Sequence, residues 1–382
     1  MPRASQFVES RAAITTGAGD LLLQQVRVAP PGPDEVRIRV VAAGVCHTDH
    51  ASLSWGRTMV LGHEGAGIID AVGPGVTGLA IGQPVCLNWA IPCGACPQCA
   101  RGNEHICDRT HGRWPERFGT SAAHAGSTLW GDQAIDRSFH LGVFSDFTIV
   151  RKEAVSPLPA GMGLGEAALL GCAVMTGVGS ALNVAQVRPG ETVAVVGCGG
   201  VGLNVIQGAR IAGASRIIAM DLRSEPLERA RHFGATDGIL VQSDDPAFAD
   251  QIGKVRALTD DYGVDVAFEA TGSARLSFLP LHLVRNGGRA IQVSGSHGAV
   301  TAHMPDFMWD KSYSTALYGG CCPTRDFPRL FTMMAENKLH VSDQITHHYG
   351  LESAGQAISD MLSGVSGKGV IWLTGDDHVS HA

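Results

Sequence analysis

The sequence lacks the features that mark exported, membrane-spanning and nucleic-acid-binding proteins. Its first residues, MPRASQFVESRAAIT, have no apolar core of a signal peptide, and no window approaches the ~18 apolar residues that a membrane span requires. The net charge of −7 comes without a basic stripe, which argues against nucleic acid and anionic membranes as partners. With 45% hydrophobic and 17% charged residues, the composition is that of a folded protein, and we expect a cytoplasmic location.

Ten cysteines are present, but a long chain without an export signal is not expected to build a disulfide framework. Four of them, Cys93, Cys96, Cys99 and Cys107, follow the spacing C-x2-C-x2-C-x7-C. Four thiolates close a tetrahedral shell around Zn²⁺, which is typical of a structural site. One alternative is an iron–sulfur cluster, although its bacterial motif places the last cysteine after three residues and follows it with proline. The other alternative is a reduced loop without metal. We expect zinc, in a lobe at about residues 91–110.

The length of the chain predicts two domains, and its texture changes near residue 171. Before that point, short strands such as EVRIRVVAAG (Glu35–Gly44) alternate with Gly- and Pro-rich stretches. After it, strands such as TVAVV and RIIAMD alternate with helical segments, which predicts a parallel sheet covered on both faces. The predicted fold class is therefore α/β, with a doubly wound domain (178–318) inserted in an irregular β-rich domain (1–177 and 319–382).

The stretch GCGGVG fits the pattern G-x-G-x-x-G between a predicted strand and a predicted helix. Gly197 permits a tight turn, Gly199 lets the backbone approach a pyrophosphate, and Gly202 lets helix and strand pack closely. The helix N-terminus offers free N–H groups to phosphates. Asp221 ends the next strand, where it would accept hydrogen bonds from ribose hydroxyls and repel the extra phosphate of NADP. The sequence therefore favours NAD as the coenzyme, although Arg223 could still accommodate the phosphate of NADP. The alternative is that the glycine-rich turn binds no ligand.

A second set of metal-binding residue types is dispersed: Cys46 in GVCHTDH, His63 in GHEGAG and Cys172 in GCAVMTG. Any one of them, taken alone, is more often a core or surface residue than a ligand. Together, two cysteines and one histidine are the ligand set of an open catalytic zinc, whose fourth position takes water or substrate. Asp49 could orient a ligand from behind, and Glu64 stands directly beside His63.

These stretches identify a family. Residues 62–76, GHEGAGIIDAVGPGV, fit the signature G-H-E-x-x-G-x5-G-x2-V of the zinc-dependent medium-chain alcohol dehydrogenases, which the chain resembles nearly end to end. Residues 107–144 resemble the extended loop of the longer, typically dimeric branch with aryl-alcohol and glutathione-dependent members. The resemblance implies a GroES-like β-rich domain, a Rossmann domain, two Zn²⁺ per chain, NAD and a homodimer. It also implies hydride transfer between NAD and an alcohol or aldehyde whose oxygen is bound to zinc.

The resemblance assigns a role to individual residues. The catalytic zinc ligands would be Cys46, His63 and Cys172, with Asp49 and Glu64 behind them, and Thr48 would begin the proton relay. The coenzyme residues would be His47, Thr176, Gly197, Gly199, Gly200, Val201, Gly202, Asp221 and Arg223. Trp89, four residues before Cys93, matches a position that walls the substrate pocket in this family. The alternative is that Trp89 is an ordinary core residue without contact to substrate.

The chain departs from the family pattern at two functional positions. The histidine that passes the proton to solvent in the family is replaced by Ala51, and His50 lies one position earlier. Either His50 or a water molecule would then complete the proton relay. The alternative is that His50 is only a surface residue. A coenzyme-binding arginine near the C-terminus is replaced by Ile371. Trp55, Met59, Trp89 and the region from Phe139 to Leu141 suggest an apolar pocket. Such a pocket favours aromatic or medium-length primary alcohols.

Two other functions stay open from the sequence. The first is thiol-dependent formaldehyde oxidation, for which Arg113 and Arg117 could receive an anionic group, although a solvated loop is the simpler interpretation. The second is a non-catalytic zinc- or nucleotide-binding protein, which Thr48 at the relay position disfavours.

Overall fold

A computed structural model describes residues 6–110, 127–241, 248–296, 298–365 and 367–373. Arg113 and Arg117, and with them part of the predicted extended loop, lie outside the described residues. The chain divides into two compact units: the first unit contains residues 1–172, 322–335 and 341–382, and the second unit contains residues 173–321 and 336–340. The predicted domain boundaries at 177/178 and 318/319 differ from these divisions by a few residues.

The first unit is built on two mixed sheets. One has the strand order β8-β7-β2-β1-β4-β9, and the other has the order β11-β6-β5-β3-β19-β18, with β10 also paired to β3. The strands are β1 (Val8–Thr15), β2 (Leu22–Val28), β3 (Glu35–Gly44), β4 (Met59–Val60), β5 (Glu64–Val72), β6 (Pro84–Leu87), β7 (Thr128–Trp130), β8 (Gln133–Ala134), β9 (Asp136–Arg137), β10 (Phe147–Arg151), β11 (Val155–Pro157), β18 (Ile345–Gly350) and β19 (Lys368–Trp372). Strand β3 coincides with the predicted strand, and nearly all of its residues are buried because it lies in the middle of its sheet.

Short helices connect these strands. They are α1 (His47–Ser52), α2 (Pro97–Ala100), α3 (Leu164–Leu169), α9 (Pro323–Ala335) and α10 (Ala354–Ser363), with a short 3-10 helix at Ser138–His140. Helix α1 follows β3 directly, and β5 pairs antiparallel to β3 along most of its length. The end of β3, the start of α1 and the start of β5 are therefore close together, which positions the candidate metal site described below.

The second unit is a six-stranded sheet in which every pair is parallel, in the order β14-β13-β12-β15-β16-β17. Its strands and helices are β12 (Thr192–Val196), β13 (Arg216–Asp221), β14 (Asp237–Leu240), β15 (Val264–Glu269), β16 (Val284–Gln292), β17 (Ser312–Thr315), α4 (Met175–Gly179), α5 (Gly200–Ile211), α6 (Ser224–His232), α7 (Ala249–Ala257) and α8 (Leu279–Leu283).

Alternate residues of the central strand pack into different cores. Val193 and Val195 of β12 belong to one apolar cluster, whereas Ala194 and Val196 belong to another. Since successive strand side chains point to opposite faces, the sheet is covered on both sides. The predicted doubly wound Rossmann sheet is thereby confirmed.

One helical stretch corrects an expectation from the sequence. Among the described residues, Leu164–Val184 (21 residues, mean hydropathy 1.6) is long and apolar enough to cross a membrane, contrary to the expectation that no window approaches this composition. Because 83% of its most apolar window is buried inside the protein, the stretch has the environment of a core helix. It contains two π-helical turns, Leu170–Val174 and Ser180–Val184, and such turns are frequent at functional sites.

Candidate metal and dinucleotide sites

Four potential metal ligands converge inside the first unit. Ligand atoms of Cys46, His63, Glu64 and Cys172 all lie within 4.8 Å of one another. Cys46 is the N-cap of α1, Glu64 opens β5 with His63 directly before it, and Cys172 lies in the π-helical turn Leu170–Val174. His63, Glu64 and Cys172 are buried, and Cys46 is half-buried.

The chain turns sharply just before His63. Gly62 has a φ of +89°, and a Cβ on it would lie 2.4 Å from the Phe144 ring. Only glycine fits a left-handed position with so little space. The turn at Gly62 places His63 on the inside of the unit, where its ring meets the two thiols.

Asp49 holds two of the candidate ligands. Its carboxylate is fully buried, accepts a hydrogen bond from the backbone N–H of Cys46 at 2.9 Å, and lies 2.9 Å from His63 Nδ1. With Nδ1 donating to Asp49, the lone pair on Nε2 is left for a metal, which is the arrangement usual for zinc-bound histidine.

Negative charge accumulates at this set. Burial by itself lowers the pKa of His63, but Asp49 and Cys46 raise it more, so that the pKa of His63 lies well above its usual value. The Cys172 thiol donates to Cys46, which lowers the pKa of the Cys46 thiol well below its usual value. A thiolate, a second thiol and a buried carboxylate are a donor set that a divalent cation neutralises, so the residues fit Zn²⁺.

Lys368 joins the same cluster, although no motif of the sequence marks it as a site residue. Its ammonium donates to the carbonyl of Val45 at 2.7 Å and to Glu64 Oε1 at 2.9 Å. Burial lowers the pKa of Lys368, but the charges of Glu64 and Cys46 and the hydrogen bond to Glu64 together raise it more, so that the side chain stays protonated. A signal was available: lysine is unusual in an apolar strand such as GKGVIWL, in which Ile371 is fully buried.

The candidate relay residues lie on α1. Thr48 and Ala51 are half-buried, whereas His47 and His50 are exposed. Residues three apart share a helix face, but residues two apart do not. Ala51 is therefore on the face of Thr48 and His50 is not, which favours water over His50 as the next proton acceptor.

An aromatic cluster stands next to His63. The Phe139 ring lies 4.8 Å from the His63 ring, 5.1 Å from Trp89 and 6.0 Å from Trp55, measured between ring centroids. Phe139 and His140 both have a positive φ (52° and 62°), which is a costly backbone conformation for such side chains. Leu141, predicted for the pocket, is fully buried two residues further on. The ring that contacts the metal set belongs to Phe139.

The four-cysteine lobe also converges. The sulfurs of Cys93, Cys96, Cys99 and Cys107 lie within 4.8 Å of one another. Backbone N–H groups point at three of these sulfurs: Cys99 N donates to Cys96, Ala95 N donates to Cys93, and Cys93 N donates to Cys107. The hydrogen bond from Cys99 N lowers the pKa of Cys96 to about 6. A closed set of four sulfurs supported by N–H donors suits a structural zinc ion.

The glycine-rich turn of the second unit has the geometry of a phosphate-binding turn. Gly197 has a φ of +92°, and a Cβ on Gly202 would lie 1.9 Å from the carbonyl of Gly197. A Cβ on Gly199, by contrast, would meet nothing within 4 Å, so the backbone there is accessible to a ligand. Gly199 is the N-cap of α5, and Gly200 and Val201 begin that helix with their N–H groups at its positive end.

The remaining predicted coenzyme residues are placed as follows. Asp221 ends β13 beside the turn, where its carboxylate accepts from the N–H groups of Cys198 at 2.9 Å and Arg223 at 3.1 Å. The side chain of Arg223 is exposed, and Thr176 is buried in α4. The carboxylate of Asp221 is thereby held at the C-terminal end of the sheet, where parallel sheets bind nucleotides.

Known proteins share this architecture. Two family profiles match the chain, "Alcohol dehydrogenase GroES-like domain" over residues 32–160 and "Zinc-binding dehydrogenase" over residues 200–336. The chain is 32% identical to an alcohol dehydrogenase class-3 of Myxine glutinosa, with 96% of this chain and 99% of the relative covered. It is 34% identical to alcohol dehydrogenase 6 of Rattus norvegicus, with 90% and 92% covered.

Solved structures agree with the sequence relatives. The benzyl alcohol dehydrogenase of Acinetobacter calcoaceticus superposes with a TM-score of 0.87 at 29% identity, covering 96% of this chain and all of that one. The predicted GroES-like and Rossmann architecture is confirmed by the profiles and by this superposition. The chain belongs to the zinc-dependent medium-chain alcohol dehydrogenases and is an oxidoreductase.

Proposed function

We propose that the protein transfers a hydride between NAD and a primary alcohol or aldehyde of aromatic or medium-length apolar character. The observation that carries the proposal is the convergence of Cys46, His63 and Cys172, with Asp49 fixing the ring of His63. Three protein ligands leave a fourth position for substrate, which is the arrangement of a catalytic zinc. A second zinc would be structural and held by the four-cysteine lobe, giving two Zn²⁺ per chain.

The residues of the chain divide the chemistry between them. The zinc supplies a Lewis acid that lowers the pKa of an alcohol, and NAD supplies the hydride acceptor. Thr48 Oγ1 would take the proton of the alcohol, and water on the same face as Ala51 would carry it away. Asp49 keeps His63 Nδ1 protonated and the ring oriented. Phe139, Trp89 and Trp55 would exclude water from the apolar part of the substrate.

The coenzyme preference is proposed from Asp221. Its carboxylate ends β13 next to the glycine turn, where it would accept from the ribose hydroxyls of NAD and repel the additional phosphate of NADP. NADP would be used only if Arg223 bound its additional phosphate strongly enough to outweigh the repulsion by Asp221.

The aromatic cluster supports the substrate class. Flat rings beside His63 offer stacking contacts to an aryl alcohol, and the similar benzyl alcohol dehydrogenase structure agrees with this choice. The alternative of thiol-dependent formaldehyde oxidation is separated from it by one assay. NAD reduction is measured with benzyl alcohol, hexanol and formaldehyde, each with and without glutathione. Activity on formaldehyde that depends strictly on the thiol would replace our proposal.

Metal stoichiometry tests the ligand assignment. We expect two zinc ions per wild-type chain, one in Cys46→Ser with alcohol oxidation abolished, and two in Cys86→Ser. Cys86 is a matched control because it is a buried thiol outside both metal sets. It donates a hydrogen bond to the carbonyl of Ala167 at 3.0 Å. Full turnover by Cys46→Ser would show that the assigned ligand is wrong.

We further propose a homodimer formed through the edge of the parallel sheet. Strand β17 ends this sheet, and exposed apolar residues flank it along the chain: Met304, Met308, Trp309 and Leu317. An unprotected strand edge with such neighbours is a template for pairing with a second copy. We expect twice the 40.0 kDa chain mass by light scattering, and one chain mass for Met304→Glu/Trp309→Glu. Ile81→Glu, in the first unit and similarly exposed, is the control that should stay dimeric. A wild-type protein that has the mass of one chain by light scattering would overturn the proposal.

The cysteines bear on location. None of the ten cysteines forms a disulfide, which is compatible with the reducing cytoplasm that we propose for this protein.

A further inference from the structure

The candidate catalytic site contains one donor more than an open zinc site needs. Besides Cys46, His63 and Cys172, a carboxylate oxygen of Glu64 lies within the same 4.8 Å group. Carboxylate is a normal zinc ligand, and four protein ligands make a closed, structural site. Something must therefore keep Glu64 from occupying the position that substrate requires.

Glu64 is held by Lys368. The ammonium lies 2.9 Å from Oε1 and 2.8 Å from Oε2 of Glu64, and it is fixed by a third contact, 2.7 Å to the carbonyl of Val45. The side chain of Glu64 is fully buried and that of Lys368 is only 8% exposed. Water therefore does not weaken the pair as it weakens surface ion pairs.

The geometry around the pair is specific. Val45 directly precedes Cys46, so Lys368 is anchored to the segment that carries a candidate ligand. Gly44 leaves room for the carboxylate, since a Cβ there would lie 2.2 Å from Glu64 Oε2. Oε2 is buried and, among the described residues, receives no hydrogen bond of good geometry, so it keeps the capacity to bind a metal.

We propose that Lys368 is a positioning residue that holds Glu64 away from the zinc and thereby keeps the fourth coordination position open to substrate. The inference rests on the proposed function, because it requires a metal on Cys46, His63 and Cys172. Without the cation, the buried charge of Glu64 would be unpaired, and the metal would be its nearest compensation. Lys368 thus acts through Glu64 and does not touch the substrate.

The test uses the full chain with cobalt(II) in place of zinc, because the visible absorption of cobalt reports its ligands. The probe is imidazole, a neutral nitrogen ligand that enters an open position. We expect imidazole to bind wild type and Lys368→Arg alike, and to bind Lys368→Met about 10- to 100-fold more weakly, the usual range for loss of a partner behind the ligands. The cobalt spectrum of Lys368→Met should change before any imidazole is added.

A double variant separates positioning from general stability. In Lys368→Met/Glu64→Gln the competing carboxylate is gone, so imidazole affinity should return to within a few-fold of wild type. Replacing both members of a buried ion pair also avoids an uncompensated charge. If Lys368→Met does not fold, Lys368→Gln takes its place with the same expectation, because it removes the positive charge opposite Glu64 while keeping a donor for the carbonyl of Val45.

The outcomes distinguish the inference from the proposed function. An unchanged spectrum and imidazole affinity in Lys368→Met, or a double variant as weak as the single one, would overturn the positioning role while leaving the metal site intact. If Cys46→Ser leaves the wild-type cobalt spectrum unaltered, the metal is not at this site and the proposed function fails first. Arg37→Met, which breaks the buried pair of Arg37 with Asp70 (2.6 Å), should lower thermal stability without changing the spectrum.

Discussion

Replacing Asp49 by asparagine should weaken the candidate catalytic metal site without disturbing the structural one. The two oxygens of Asp49 serve different donors, Oδ2 the N–H of Cys46 and Oδ1 the Nδ1–H of His63, each at 2.9 Å. Asparagine has the same shape but only one oxygen. In either orientation of the amide, its NH2 group faces one of the two donors, so one hydrogen bond is lost.

The size of the effect follows from the burial of the carboxylate. A hydrogen bond to a charged group contributes about 1.5–3 kcal/mol, and Asp49 is fully buried, so solvent cannot replace it. Since about 1.4 kcal/mol corresponds to a factor of ten, zinc should bind about 10- to 100-fold more weakly at this site. The affinity is measured by competition with a chromophoric chelator, which resolves the weak site from the four-cysteine site.

Asp70→Asn is the matched control. Asp70 also accepts from a buried donor, Arg37 at 2.6 Å, but lies outside both metal sets. This variant should lose thermal stability and keep both zinc affinities. If Asp49→Asn binds zinc as tightly as wild type does, then the hydrogen bond between Asp49 and His63 does not contribute to metal binding.

Three further variants test the other parts of the account. Asp221→Ala should lower kcat/KM for NAD by about 10- to 100-fold, because about 1.5–3 kcal/mol of hydrogen bonding is lost. The ratio of kcat/KM for NAD to that for NADP should also decrease. An unchanged ratio would exclude Asp221 as the residue that binds the ribose. Gly202→Ala should abolish coenzyme binding in a fluorescence titration because its Cβ would overlap the carbonyl of Gly197 at 1.9 Å. Gly253→Ala, with open space around its Cβ, should bind normally and thereby serve as its control. Phe139→Leu should lower the benzyl alcohol to hexanol ratio of kcat/KM by about 2- to 10-fold, the equivalent of one aromatic pair, and an unchanged ratio would remove Phe139 from the pocket.

The sequence predicted what depends on local spacing. The four cysteines between 93 and 107 lie within one short lobe, so their spacing alone implies convergence. The turn from Gly197 to Gly202 is equally local, and each glycine has the steric surroundings that its predicted role requires. The alternation of strands and helices after residue 171 predicted the parallel sheet, because that alternation leaves few other topologies.

Long-range contacts that no motif or family resemblance marks could not be read from the sequence. Lys368 and Glu64 are 304 residues apart, and only the pairing of β19 and β5 on either side of β3 brings them together. The position of Phe139 depends on two consecutive residues with positive φ, a conformation that local propensity disfavours. The apolar composition of Leu164–Val184 was missed because Gly, Glu, Thr, Ser and Asn residues interrupt the run, although its mean hydropathy is still 1.6.

Zinc-edge X-ray absorption of the fully loaded protein tests the central claim most directly. One zinc on four cysteine sulfurs and a second on Cys46, Cys172 and His63 give an average of three sulfurs per zinc, at about 2.3 Å, together with imidazole scattering from the histidine. Four sulfurs per zinc and no imidazole scattering would mean that only the lobe binds metal, and that the assigned open site does not exist.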